Sequence, residues 1–185
     1  MYGTLGKDQS DVNTLTVIVR RLAKNPSLGV RHKSFDGGGN MFNDGRRVLQ
    51  ALSSLNCNRL IICHDADGPV PSTNYHRVRE RIVEPAGLED SSLVLIPVQE
   101  LEAWLVADIE TMTRIFKSWK PKPISNPEGI RNPKEHLIRL SRDSRHRPRY
   151  SHATHNEQVA RYLDLDKVKR KCPSFRPLVT FITSP

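Results

Sequence analysis

Asp65 and Asp67 stand two apart directly after the apolar run Leu60-Ile61-Ile62-Cys63, and Gly68 closes the segment. A short, continuous, β-branched run reads as a strand of a parallel sheet, buried on both faces. Open α/β sheets bind ligands at the carboxyl ends of their strands. The two acids therefore belong in a mouth beside a tight turn. Carboxylates held together there repel unless a hard cation lies between them. Mg²⁺ takes one or two carboxylates and keeps positions for water and phosphate. Taken alone, the segment fits equally well a helix cap at Asp65 and a turn at Asp67-Gly68.

Acids recur at two other predicted strand ends. Asp8 and Asp11 follow the first strand, and Glu100 and Glu102 follow a late one. In a doubly wound sheet those ends share one rim, where such a cluster is costly without a metal. Its natural chemistry is phosphoryl transfer with one or two Mg²⁺ or Mn²⁺ ions.

The elements that must place these acids are legible in the pattern. Met1 to Leu5 reads as a first strand, and Ser10 or Asp11 can cap the helix carrying Leu15, Ile18, Val19 and Leu22. Gly29 to Phe35 reads as a strand, and Gly37-Gly38-Gly39 as part of a flexible loop that lacks the Gly-Lys-Ser/Thr of a phosphate loop. Val48 to Leu55 and Pro71 to Val83 read as helices, Leu93 to Pro97 as a buried strand, and Glu100 to Ala107 as a helix with Trp104 inward. Strands alternating with helices predict an α/β fold, a doubly wound and mostly parallel sheet over residues 1–110. Four prolines between 117 and 133 mark an irregular connection. A basic, mostly helical C-terminal extension over 111–185 follows, with helices expected near 133–142, 155–164 and 174–183.

At 185 residues the chain suits one domain with an appendage. No apolar run approaches the roughly 20 residues of a membrane helix, and no signal peptide is expected. Cys57, Cys63 and Cys172 form no CxxC pair, which fits small core residues in a reducing cytoplasm. Residues 1–110 carry 12 Lys/Arg and 14 Asp/Glu, whereas 111–185 carry 17 and 6, so the net charge of +9 lies entirely in the C-terminal part. That asymmetry points to a polyanionic partner, nucleic acid above all. Arg142, Arg145, Arg147 and Arg149 cluster near Tyr150 and suit phosphates, with the aromatic free to stack. Lys169, Arg170 and Lys171 form a second group that suits nucleic acid or an acidic protein surface equally. His64 is expected to be structural.

On these motifs the chain resembles the Toprim superfamily, the α/β domain of topoisomerases, bacterial-type primases, recombination-repair proteins and nucleases of the overcoming-lysogenisation-defect type. That pattern sets Glu-Gly-x-Ser/Thr-Asp/Glu after the first strand and Asp-x-Asp after a later one. Asp65-Ala66-Asp67 matches the second motif. Ser10-Asp11 match the end of the first, and Lys7 stands where the family has Glu, with Asp8 beside it. The chain also resembles a bacterial Toprim-like branch through Glu100-Leu101-Glu102-Ala103-Trp104-Leu105-Val106-Ala107-Asp108, Asn132-Pro133-Lys134 and Cys172-Pro173-Ser174-Phe175, a likeness spanning nearly its whole length. The resemblance implies a nuclease cutting DNA or RNA, with Mg²⁺ or Mn²⁺ on Asp11, Asp65, Asp67 and Glu100. Asp8 or Glu102 would assist as general base or second-metal ligand. At the altered first motif, Asp8 would supply the carboxylate or Lys7 a phosphate ligand. Genes of this branch often neighbour ABC/SMC-type ATPases in defence loci, which implies an effector subunit of an anti-phage system with such a partner. The alternative is a non-catalytic module that binds nucleic acid or docks on an ATPase with a degenerate metal site.

Overall fold

The apolar run before the acids forms β3 (Arg59–Cys63), an interior strand of a four-stranded sheet. The computed structural model describes residues 1–184. β1 (Tyr2–Gly6) and β4 (Ser92–Leu95) pair with β3 in parallel, and β2 (Val30–Ser34) pairs in parallel with β1. The order β2-β1-β3-β4 shows that the winding reverses between β1 and β3. This is the doubly wound α/β fold that the alternating pattern predicts.

Alternate β3 side chains enter opposite cores, as strand geometry requires. Leu60 and Ile62 meet α2 (Gly38–Ser54) and the turns after α3 (Ser72–Val78), through Leu49, Val78 and Ile82. Ile61 and Cys63 face the other way, toward α1 (Gln9–Leu22) and α4 (Glu102–Ala107). The C-terminal helices α5 (Pro133–Leu140), α6 (His152–Ala160), α7 (Leu165–Lys171) and α8 (Arg176–Thr183) complete that second core. Leu137, Val159, Val168, Phe175 and Leu178 join Trp104 and Ile61 in one cluster. The helices of residues 111–184 therefore share their core with the sheet. The three cysteines are buried and unpaired. Among the described residues no helix is long and apolar enough to cross a membrane.

Local structure departs from the sequence expectations in three places. Gly38 to Asn40 do not form a loop, because α2 begins at Gly38 and only Gly37 stays in the bend before it. Gly37 adopts φ +89°, and a Cβ on Gly38 would lie 2.8 Å from His64 Nε2. The glycines therefore admit a sharp entry and a close approach, which the turn-like composition disguises. The cap of α1 is Asp8, whose side chain accepts the Asp11 amide, and neither Ser10 nor Asp11 serves. The charged stretch 165–171 is helical, with Val168 its buried anchor and Asp164 its cap.

Candidate functional site

The loops after β1, β3 and β4 meet above the point where the winding reverses, the place where α/β sheets bind ligands. The β3 and β4 loops are laced together by main-chain bonds: Ala66 N–H to Pro97 O at 2.9 Å, Asp67 N–H to Gln99 O at 3.0 Å, and Gln99 N–H to Gly68 O at 3.0 Å. Asp67 (φ 52°) and Gln99 (φ 64°) both lie in the left-handed region. Each such non-glycine residue stores about 1–3 kcal/mol, and strain of this kind gathers at functional sites.

Asp65 is nearly buried. Its Oδ1 accepts the Leu101 amide at 2.9 Å, and its Oδ2 meets Lys7 Nζ at 2.9 Å. The same ammonium reaches Asp67 Oδ1 at 3.0 Å, so Lys7 bridges the two aspartates. Asp8 is committed to the cap, with its Oδ1 2.9 Å from Asp11 N. Asp11 and Glu102 are 5% and 4% exposed. Glu102 Oε1 accepts from Asn156 Nδ2 at 3.0 Å, and Asn156 Oδ1 accepts from the Tyr150 hydroxyl. Glu100 faces α5 instead, accepting the Lys134 amide at 3.0 Å with Lys134 Nζ 3.8 Å away.

The electrostatics follow from this crowding. Burial, then the charges of Asp65, Asp8 and Glu102, push the Asp11 carboxyl well above its ordinary range. Burial also raises Asp65, with Lys7 pulling against it. Glu102 is pushed up to about 7 by burial and by Asp65. Burial lowers the Lys7 ammonium, but Asp65 and Asp67 outweigh it and leave Lys7 raised. Lys134 is raised in the same way, burial being overcome by Glu102, Glu100 and Asp65.

As the side chains stand, no three His, Cys, Asp or Glu among the described residues are arranged to hold a metal ion. The Lys7 ammonium lies where a cation between Asp65 and Asp67 would sit. The donor chemistry nonetheless fits a hard cation. Among the described residues no donor hydrogen-bonds to the Asp11 carboxyl, and the charges of Asp65, Asp8 and Glu102 all bear on it. A buried carboxylate in that position is costly unless a positive charge joins it.

The structure thus gathers Lys7, Asp8, Asp11, Asp65, Asp67 and Glu102, and turns Glu100 aside to the start of α5. Sequence reasoning missed Asn156, Tyr150 and Lys134 as neighbours of the acids. Lys134 stood within a quoted motif, whereas Asn156 carries no local signal.

The basic residues are placed differently from expectation. Tyr150 is 2% exposed and bonded to Asn156, so it is not free to stack on bases. Arg147 pairs with Asp143 at 3.1 Å, and the Asp143 carboxylate also accepts the Arg145 and Arg147 amides. Arg149 donates to Ser141 O and Ser118 Oγ. Arg142 lines a shallow cavity of about 380 Å³ with Arg131 and Arg139. Lys171 ties the carbonyls of Ala107 and Ile124, while Lys169 and Arg170 are exposed. His64 stacks on Phe42 with ring centroids 5.1 Å apart, consistent with a structural role.

Fold and site together define a doubly wound α/β protein with an acidic site at its switch point. The family model described as a domain of unknown function, DUF4276, matches residues 38–183. The chain belongs to that family. The match contains Asp65, Asp67, Glu100 and Glu102, while Lys7, Asp8 and Asp11 precede it. No curated protein and no solved structure matches the chain.

Proposed function

We propose that this protein is a Toprim-like, Mg²⁺- or Mn²⁺-dependent nuclease acting on phosphodiester bonds in DNA or RNA, and the effector subunit of an anti-phage system with an ABC/SMC-type ATPase partner. The observation that carries the reading is the Asp11 carboxyl, buried beside Asp65 and Glu102 without a hydrogen-bond donor among the described residues. Asp11 and Asp65 would hold the ion, with Glu102 and the exposed Asp67 adjoining it. When bound, the ion would stabilise charge on the attacking and leaving oxygens. Lys7, released from the aspartates, would hold a phosphate oxygen. Glu102, positioned by Asn156, would accept a proton from water. The resemblance in motifs supports the partner and the biological setting.

Calorimetric titration with Mg²⁺ and Mn²⁺, with and without nucleic acid, tests the site. Cleavage of plasmid DNA and total RNA, with the chain alone and with the proposed ABC/SMC-type ATPase partner, tests the chemistry. Divalent binding is expected in the wild type and is expected to vanish in Asp11→Asn with Asp65→Asn. Absence of any divalent binding by the wild type sinks the enzyme reading.

One observation favours a second reading. Lys7 already bridges Asp65 and Asp67. A module with a degenerate site, its ammonium replacing the metal, would bind nucleic acid or dock on the ATPase without cutting. The same titration separates the two.

A further inference from the structure

The sequence places the basic surface in the C-terminal part, yet a strongly cationic concavity lies elsewhere. It runs along the outer face of α1, between the edge strand β2 and α6, and encloses about 670 Å³. Arg20, Arg21, Lys24 and Arg161 line it against a single carboxylate, Glu157. Asn13, Val17 and Arg20 recur at helical spacing on one stripe of α1, and Lys24 follows in the turn just past the end of the helix, where its backbone adopts φ 51°. That stripe begins at Gln9, beside the Asp8 cap, where Gln9 Nε2 donates to Asn13 Oδ1 at 2.8 Å. From Gln9 to Arg20 the helix rises about 16 Å. The groove therefore leads away from the acidic rim.

The cations differ in their commitments. Arg21 is structural, its guanidinium donating to Ala160 O and Leu163 O at 2.7 Å each. Arg20 spends only its Nε, on Leu28 O at 3.1 Å. Lys24 is exposed and forms no ion pair among the described residues. Arg161 gives one nitrogen to Glu157 and keeps the rest of its fork.

A second concavity of about 540 Å³ meets the first at Glu157 and Arg161, and it contains Arg114 and Tyr162. Tyr162 is 48% exposed, unusual for so large an aromatic, and Arg114 lies over its ring 5.7 Å from the centroid. Cationic side chains beside an exposed aromatic are what a strand of nucleic acid uses, phosphates on the cations and a base on the ring.

We infer that the groove from Gln9 along α1 to Tyr162 is the track for the phosphodiester backbone of one nucleic-acid strand, with Arg20, Lys24 and Arg161 on phosphates and Tyr162 stacking a base. The inference deepens the proposed nuclease reading by giving its substrate a path to the acids. At about 3.4 Å per nucleotide, 16 Å of groove spans about four or five nucleotides.

The test is fluorescence anisotropy of the full chain with labelled 30-nucleotide DNA and RNA of one sequence, in EDTA, over a salt series. Arg20→Ala with Lys24→Ala and Arg161→Ala should weaken binding tenfold or more and lower the log–log salt slope by about 0.7 per lost contact. Because Arg20 also holds Leu28, Lys24→Glu with Arg161→Glu provides a second variant on exposed side chains, with the same result expected. Tyr162→Ala should weaken binding with the salt slope kept. Unchanged affinity and slope in both cationic variants overturns the groove, as does a wild type that binds neither strand. Loss of the slope in Arg145→Ala with Arg147→Ala, but not in the α1 variants, also overturns it and moves the track to the Asp143 loop. Binding in EDTA needs no catalysis, so intact binding without any metal uptake sinks the nuclease reading alone.

Discussion

Lys7 and Asp65, on the loops after β1 and β3, are joined at 2.9 Å across the point where the sheet changes winding direction. That ammonium is the positive charge that the chain supplies to Asp65 and Asp67, so it governs how strongly the site calls for a metal. Lys7→Met keeps the aliphatic stem and removes the charge. The variant should lose up to about 3 kcal/mol in EDTA, since breaking a mostly buried pair strands its partner. Mg²⁺ or Mn²⁺ should then raise the melting temperature of the variant more than that of the wild type, a ligand at a hundred times its Kd contributing about 2.7 kcal/mol. Thermal melts in EDTA and in each metal read both effects. An equal metal response in the two proteins would show that Lys7 and the ion do not compete.

Asn156 couples the C-terminal helices to the acids through Glu102 and Tyr150. Asn156→Ala strands the Glu102 carboxyl and the Tyr150 hydroxyl in a buried place, and should cost about 1–3 kcal/mol. Tyr150→Phe removes one donor and keeps the ring, so about 0.5–1.5 kcal/mol is expected. Urea denaturation orders the pair. A larger loss for Tyr150→Phe would show that the phenol, not the amide, holds the network.

Much of the sheet was legible because β3 is a buried apolar run that two acids follow at once, and β4, though an edge strand and only partly buried, is still an apolar run. The positions of Asp65 and Asp67 followed from the abrupt end of β3. Their partners did not. Lys7 reaches them only because β1 lies beside β3, a pairing that no local pattern encodes. Glu100 and Glu102 looked equivalent in sequence, yet α4 begins between them and sends one to Lys134 and the other inward. The basic residues misled for a similar reason. Asp143 and the carbonyls near Lys171 already engage several of them, while Arg20 and Lys24 stand in no motif that would set them apart.

The two glycines that open α2 should respond in opposite directions to alanine. A Cβ at Gly38 meets His64 Nε2 at 2.8 Å, whereas a Cβ at Gly39 meets nothing within 4 Å. Gly39→Ala should be neutral or stabilise by up to about 1 kcal/mol, as a helical glycine replaced by alanine does. Gly38→Ala should cost about 1–3 kcal/mol by overpacking. It should also move the His64 ring, whose Nδ1 lies 2.7 Å from the Asp65 carbonyl beside the site. Denaturation curves and the His64 ring resonances check this. Equal stability of the two variants would mean that His64 yields without resistance.

Asp108 provides the acid-sensitive joint between α4 and the C-terminal helices. Its Oδ2 accepts the Asp164 amide at 2.9 Å and the Thr111 hydroxyl at 2.8 Å, while Lys167 Nζ lies 2.8 Å from Oδ1. Burial works to raise this carboxyl, but those donors and the ammonium outweigh it and hold it below its ordinary value of 3.8. A depressed carboxyl stabilises the fold fully above the value it has when unfolded. The contribution fades as the pH falls through the lower folded value, because the unfolded chain then takes up the proton first. Asp108→Asn should therefore cost about 1–3 kcal/mol near neutral pH. The gap between wild type and variant should stay constant from pH 7 to about 5 and close as the pH falls below about 4. Urea midpoints at pH 7, 5 and 3.5 measure the gap, and comparing the two proteins cancels the titration of the other acids. A gap that stays constant to pH 3.5 would show that the Asp108 contacts hold by geometry alone, independent of its charge.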